Sequence, residues 1–162
     1  QFIIMAAFFL DAYAFSTEGV IGFSIGRRNK KSFLTSVKNS IELSFFTALI
    51  ISLAYLFSFK IIVNLLTDVE VLRYISYKHL IWIIIIPPLA SLSYQLDGIF
   101  IGASQTQEIR NAMIISVASF ITLSIYLTKY FGNHGLWFSF LIFMILRSLT
   151  LNFYFKKILR KF

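Results

Sequence analysis

The sequence predicts an all-α integral membrane protein. Of its 162 residues, 58% are hydrophobic and only 14% are charged, and the mean hydropathy is +0.80. A soluble domain of ordinary composition carries about 25% charged residues. The apolar residues form five long runs that do not alternate at period two, which favours membrane-spanning helices over the strands of a barrel.

Each apolar run is long enough to cross a bilayer, which takes about 20 helical residues. Short polar segments connect the runs, and Trp82 and Trp137 stand near the ends of two of them, where aromatic side chains collect at membrane interfaces. The predicted spans cover residues 2–25, 40–66, 79–103, 111–128 and 136–155.

Lysine and arginine are distributed unevenly between the two sides of these spans. On one side, the first and third connections and the C-terminal tail carry five, one and four basic residues, and Lys161 is one of the four in the tail. On the other side, the second and fourth connections carry three and one. Because the richer side faces the cytoplasm, we expect the first span to begin outside and the C-terminus to be cytoplasmic. No signal peptide precedes this outside start at Gln1, so we expect a missing N-terminal portion.

Several function classes are excluded by what the sequence lacks. It contains no cysteine, so it has neither disulfides nor a cysteine metal site. It has no GxxxxGK[ST] loop for nucleotide hydrolysis, and His79 and His134 lack metal-site spacing. We therefore expect neither an enzyme nor a bound metal or organic cofactor. The basic residues cluster in loops, which indicates contact with the lipid bilayer rather than nucleic acid.

Four ionisable residues lie well inside the predicted spans. Such residues cost roughly 2.5–3.5 kcal/mol each on insertion scales, which makes them functional candidates. Arg147 is too far from either end of its span to reach the interface, so it should face the bundle interior and a carboxylate. An ion pair that only fixes helix packing is the alternative interpretation. The possible partners of Arg147 are Asp97, Asp11 and Glu18, the last two sharing one helix face.

Two further patterns concern helix shape and packing. Pro87 and Pro88 lack the backbone N–H and should bend or break the third span. Bent helices serve as pivots in transporters, and a static kink is the alternative. The GxxxG spacing that allows close helix contacts occurs at Gly22/Gly26 and Gly98/Gly102.

Three segments carry a resemblance to a known family. They are "FLDAYAFSTEGVIGFSIGRRNKKSF", "LIWIIIIPPLASLSYQLDGIFIGASQTQEIRNAMIIS" and "GNHGLWFSFLIFMILRSLTL", and together they cover about half of the chain. In this order they resemble the C-terminal half of a MATE (multidrug and toxic compound extrusion) transporter, and they are most similar to its DinF-like branch.

The resemblance implies an architecture and an activity. Family members have twelve helices in two six-helix lobes around a central cavity, so this chain would supply five helices of the C-terminal lobe. One helix and the N-terminal lobe would be missing. The expected activity is export of lipophilic or cationic organic compounds in exchange for H⁺ or Na⁺, by alternating access in a bacterial inner membrane.

The resemblance also suggests roles for individual residues. Asp97 matches a carboxylate of the cation site in sodium-coupled members, whereas DinF-like members couple protons mainly through an aspartate of the first helix, outside this chain. The candidates for cation coupling or for cavity carboxylates are therefore Asp97, Asp11 and Glu18, with Arg147 as charge partner. Candidate cavity-lining residues are Tyr94, Gln95 and Tyr13.

Three other functions were weighed. A lipid-linked oligosaccharide flippase of related fold should carry several cavity cations, and Arg147 is the one basic residue well inside a predicted span. An intramembrane aspartyl protease would use Asp11 and Asp97, but their contexts, "LDA" and "LDG", are not those of such a dyad. A non-catalytic membrane scaffold subunit would be indifferent to the charge of Asp97.

Overall fold

The structure is a computed structural model that describes residues 1–160 and Phe162, so Lys161 of the predicted basic tail lies outside the described residues. The described residues form helices and no strands. Five of the helices are long and apolar enough to cross a membrane, as predicted. The helices are α1 (Phe2–Gly26), α2 (Lys30–Leu66), α3 (Glu70–Lys78), α4 (Leu80–Gly102), α5 (Thr106–Phe131) and α6 (Asn133–Leu159).

Helix α2 begins ten residues before the predicted start of its span at residue 40. The Asn29 side chain caps the helix by accepting a hydrogen bond from the Ser32 N–H at 2.9 Å. The polar first turns still bury Phe33 against the core. At about 1.5 Å per residue the helix is about 55 Å long, so it extends well beyond an apolar layer of about 30 Å.

Helix α3 is a second difference, because the sequence predicted only a polar connection there. Glu70 occupies its first turn and Lys78 its last, which suits the helix dipole. The guanidinium of Arg73 closes the preceding turn by donating to the Thr67 carbonyl at 2.8 Å. The helix has nine residues and none of them is buried. It is therefore too short for its sequence to indicate a membrane span.

Helix α4 is the centre of the bundle. In its most apolar stretch 44% of residues are buried, against 22% or less in the other four spans. It contributes Ile83 to the core cluster at one end, Ile86 to the middle cluster and Phe100 to the cluster at the other end. Any side chain that α4 directs inward is therefore enclosed by neighbouring helices.

The α1–α4 contact depends on two glycines of the predicted GxxxG pattern. A methyl group at Gly98 would collide with the backbone of Ala14, and one at Gly102 with the backbone of Glu18. Gly22 lies beside the Gly102 carbonyl, whereas Gly26 has no such neighbour. The close packing was therefore predicted correctly for α4, and for α1 it involves only Gly22.

The two ends of the bundle differ in charge. The stacked rings of Phe33 and Phe155, 6.0 Å apart, place the start of α2 beside the end of α6. We call this the basic end, and it carries Arg27, Arg28, Lys30, Lys31, Lys156, Lys157 and Arg160. At the opposite end Gly132 turns the chain from α5 into α6 with φ +56° and ψ −138°, a conformation that favours glycine.

Candidate functional site

An ion pair lies inside the bundle between the central helix α4 and its neighbour α6. Nη2 of Arg147 on α6 is 2.5 Å from Oδ2 of Asp97 on α4, and the side chains are 17% and 16% exposed. Of the three partners that the sequence allowed for Arg147, the structure selects Asp97. Arg147 lies near the middle of α6, and Asp97 lies in the last third of α4, before the helix ends at Gly102.

The ion pair uses only part of the hydrogen-bonding capacity of its members. Oδ1 of Asp97 and Nε of Arg147 are buried and have no hydrogen-bond partner among the described residues. A carboxylate accepts through two oxygens, so Asp97 keeps one oxygen that Arg147 does not engage. This oxygen is an acceptor for a proton, a metal cation or an organic ammonium group.

Asp11 on α1 is the second carboxylate of this site. It interacts electrostatically with both Arg147 and Asp97, and it forms no ion pair in the described part of the chain. The phenol of Tyr94, on α4 one turn before Asp97, lies within range of the same charges. Helices α1, α4 and α6 therefore place a second carboxylate within electrostatic range of the Asp97–Arg147 pair. We call Asp11, Asp97 and Arg147 the charge triad.

Glu18 lies outside the charge triad. Its backbone packs closely against Gly102. Among residues 1–160 and 162, its side chain forms no ion pair with Arg147 or with any other basic residue. The seven-residue spacing from Asp11 is two helical turns, or about 10 Å along the axis, which is too long for both carboxylates to reach one guanidinium.

Gln95, a predicted cavity-lining residue, is instead fully buried between α1 and α4. The Thr17 hydroxyl lies 2.8 Å both from Oε1 of Gln95 and from the Tyr13 carbonyl, but it has only one proton to donate. Because Nε2 of Gln95 has no partner among the described residues, the consistent arrangement turns the amide so that Nε2 donates to Thr17. Thr17 then donates to the carbonyl of Tyr13.

The other two predicted lining residues border separate spaces. Tyr13 lies in a groove of about 260 Å³ between α1 and α2, and its phenol oxygen accepts a hydrogen bond from Thr47 at 3.0 Å. Tyr94 borders a void of only about 10 Å³ together with Pro87 and Met144. The described residues thus place neither tyrosine in a large central cavity.

The predicted break at Pro87 and Pro88 does not occur, because α4 continues through both residues. Their missing N–H groups leave the carbonyls of Ile83 and Ile84 without the usual helical donor. The Ser91 hydroxyl donates to the Pro88 carbonyl at 2.7 Å. A bend of α4 remains a prediction. The two prolines lie between the first turns of α4 and Asp97.

One polar contact was not predicted from the sequence. Glu108 in the first turns of α5 is buried and pairs with Lys157 near the end of α6. The two residues are 49 positions apart, and Lys157 is one of several basic residues in the tail. No local pattern distinguishes it from the others.

These features together define a multi-pass helical membrane protein with a charged interior. The MatE family profile matches residues 1–129, and the chain belongs to the MatE family. This confirms the resemblance carried by the sequence segments. The chain is also 34% identical, over 145 residues, to DNA damage-inducible protein F of Escherichia coli (strain K12).

That alignment covers 90% of this chain and 31% of the relative, so the chain spans about a third of the relative's length. No solved structure matches the chain significantly.

Proposed function

We propose that the chain is part of the C-terminal lobe of a twelve-helix secondary antiporter, with the N-terminal lobe and one helix of this lobe contributed by further sequence. The antiporter would export lipophilic or cationic organic compounds in exchange for H⁺ or Na⁺. The observation that carries the proposal is the charge triad in the membrane interior. The MatE family membership supports the same conclusion.

The charge balance of the triad explains why a cation should bind there. Asp11 and Asp97 contribute two negative charges when ionised, and Arg147 contributes one positive charge, so the triad carries a net charge of −1. An uncompensated charge in an apolar interior is unfavourable. One H⁺, one Na⁺ or one monovalent organic cation restores neutrality, and the three ligands therefore compete for the same negative charge.

This competition is the basis of exchange. The coupling ion neutralises the triad and lowers its attraction for a cationic substrate, which is then released. Because a ligand shifts a conformational equilibrium only by its different affinities for the two states, the neutral and charged triads must favour different lobe arrangements. Bending of α4 at Pro87 and Pro88 would allow its outer turns to move while Asp97 stays beside α6.

The proposed location is a bacterial cytoplasmic membrane, with the basic end on the cytoplasmic side. The positive residues of the α1–α2 connection and of the tail lie at this one end, as the positive-inside rule requires. The first helix then begins outside and the C-terminus lies inside. A flippase for pyrophosphate-linked lipids is disfavoured, because the interior cation Arg147 is already paired with Asp97.

Efflux in everted vesicles tests the proposal. Uptake of a fluorescent lipophilic cation is measured for the complete transporter with a proton gradient alone and with a Na⁺ gradient alone. Wild type should transport the cation with one of the two gradients. At equal abundance in the membrane, Asp97→Asn should transport it at least tenfold more slowly. The matched control is Glu42→Gln, since Glu42 is an exposed partner of Lys38 away from the triad.

Full activity of Asp97→Asn would mean that the pair only fixes helix packing. No transport by wild type with either gradient would reject the antiporter itself.

A further inference from the structure

At the end of the bundle opposite the basic end, two histidines join α4 to α6. His79 immediately precedes α4 and His134 lies in the first turn of α6. Their rings are stacked with centroids 4.5 Å apart and an angle of 19° between the planes. They are the only two histidines in the chain, and they are 55 positions apart. We call His79, Trp82, Asn133 and His134 the histidine latch.

The hydrogen bonds of the latch require an uncharged His134. The Trp82 indole N–H is 2.9 Å from Nδ1 of His134. Indole is a donor only, so Nδ1 must carry a lone pair rather than a proton. A protonated His134 carries an N–H group at both ring nitrogens. Its Nδ1–H would then face the indole N–H of Trp82, and two donors cannot form a hydrogen bond.

The other ring has a defined arrangement as well. Nδ1 of His79 is 2.8 Å from the Ile75 carbonyl, which accepts only, so this nitrogen donates. Nε2 of His79, 3.2 Å from the Asn133 amide nitrogen, then accepts. Both rings are thus neutral in the closed latch, and protonation of both would place two like charges face to face.

In the described part of the chain, no ion pair joins the latch histidines to an acidic residue. From α3, Lys78 is next to His79 and its ammonium group lies over the Tyr74 ring at 4.5 Å. From α5, the nearest charged residue in sequence is Lys129, in the last turn. On α4 and α6 the neighbouring rings are those of Trp82, Trp137 and Phe138, which are uncharged.

The latch joins the two helices that carry the interior ion pair. α4 leads from His79 past Pro87 and Pro88 to Asp97, and α6 leads from His134 to Arg147. The prolines therefore separate a short segment of α4, held by the latch, from the segment held by Arg147. Release of the latch would free the first two turns of α4 without breaking the ion pair.

We propose that the histidine latch is a proton-sensitive contact that holds the outer turns of α4 against α6 at neutral pH and opens when His134 is protonated. Histidine is the side chain whose ordinary titration lies between about pH 5 and pH 8. The inference depends on the latch geometry and not on the transport activity proposed above.

Amide hydrogen exchange of the transporter in lipid nanodiscs tests the latch. Rates for residues 81–86 and 135–139, corrected for intrinsic chemistry, are compared at about pH 7.5 and about pH 5.5. Loss of one or two hydrogen bonds should accelerate exchange about threefold to tenfold at the lower pH. Residues 96–102 of α4, which lie beyond the prolines and contain no histidine, serve as the internal control and should not change.

Two substitutions separate protonation from packing. His134→Asn keeps an acceptor for Trp82 near the Nδ1 position but cannot take up a proton there, so its exchange should stay slow at both pH values. Trp82→Phe removes the donor that requires neutral His134, so its exchange should already be fast at neutral pH. The proposal is overturned if wild type shows no pH dependence, if His134→Asn keeps that dependence, or if Trp82→Phe exchanges as slowly as wild type.

Discussion

The guanidinium of Arg147 on α6 contacts the carboxylate of Asp97 on α4 at 2.5 Å, and both side chains are more than four-fifths buried. Removal of one partner leaves the other charge buried without compensation. This is typically more costly than the loss of the pair as a whole. The relationship therefore predicts non-additive effects of substitution at the two positions.

Arg147→Gln should lower the free energy of unfolding by about 3–5 kcal/mol. The double variant Arg147→Gln with Asp97→Asn should recover most of that loss, since both charges are then absent. The measurement is thermal unfolding of the purified transporter in detergent, as a double-mutant cycle. Losses that simply add would show that the two charges are not coupled, against the geometry described above.

Gly98→Ala should disrupt the α1–α4 contact, because the new methyl group meets the Ala14 backbone rather than a movable side chain. Overpacking of this kind costs about 1–3 kcal/mol. Gly19→Ala is the matched control, since Gly19 is also inside a helix but has open space around its Cα. Comparison of their unfolding midpoints checks the prediction, and equal stability of the two variants would contradict it.

Thr17→Val should destabilise the bundle by about 1–3 kcal/mol, because the fully buried Gln95 amide loses its partner. Thr122→Val is the control, since the Thr122 hydroxyl bonds only to the Ala118 carbonyl on an exposed helix face. Its stability should change by less than about 0.5 kcal/mol. Chemical denaturation in mixed micelles compares the two, and a neutral Thr17→Val would exclude the proposed α1–α4 hydrogen bond.

The sequence predicted the spans well because membrane burial acts on whole runs of residues. The sequence prediction missed α3, because nine residues are too few to form a long apolar run. It also missed the first ten residues of α2, which are mostly polar and follow the Asn29 cap. Hydropathy reports depth in the membrane, and neither segment needs that depth to be helical.

The candidate site was predicted only in part, for a different physical reason. A charged residue inside an apolar run is costly to insert into a membrane. Asp11, Asp97 and Arg147 could therefore be recognised from the sequence as candidate functional residues. Which carboxylate meets the arginine depends on helix rotation and packing, which the composition of a span does not specify. The Thr17–Gln95 contact escaped notice because neutral polar residues are common in such helices and carry no comparable cost.

The central claim is that a coupling cation and an organic cation compete for the negative charge of Asp11 and Asp97. Equilibrium binding of a fluorescent lipophilic cation to the purified transporter, followed by anisotropy across pH and Na⁺ concentration, measures this most directly. The account predicts that wild type binds at least tenfold more weakly when either H⁺ or Na⁺ is raised, and that Asp97→Asn reduces the dependence. An affinity of wild type that is independent of both ions would contradict it.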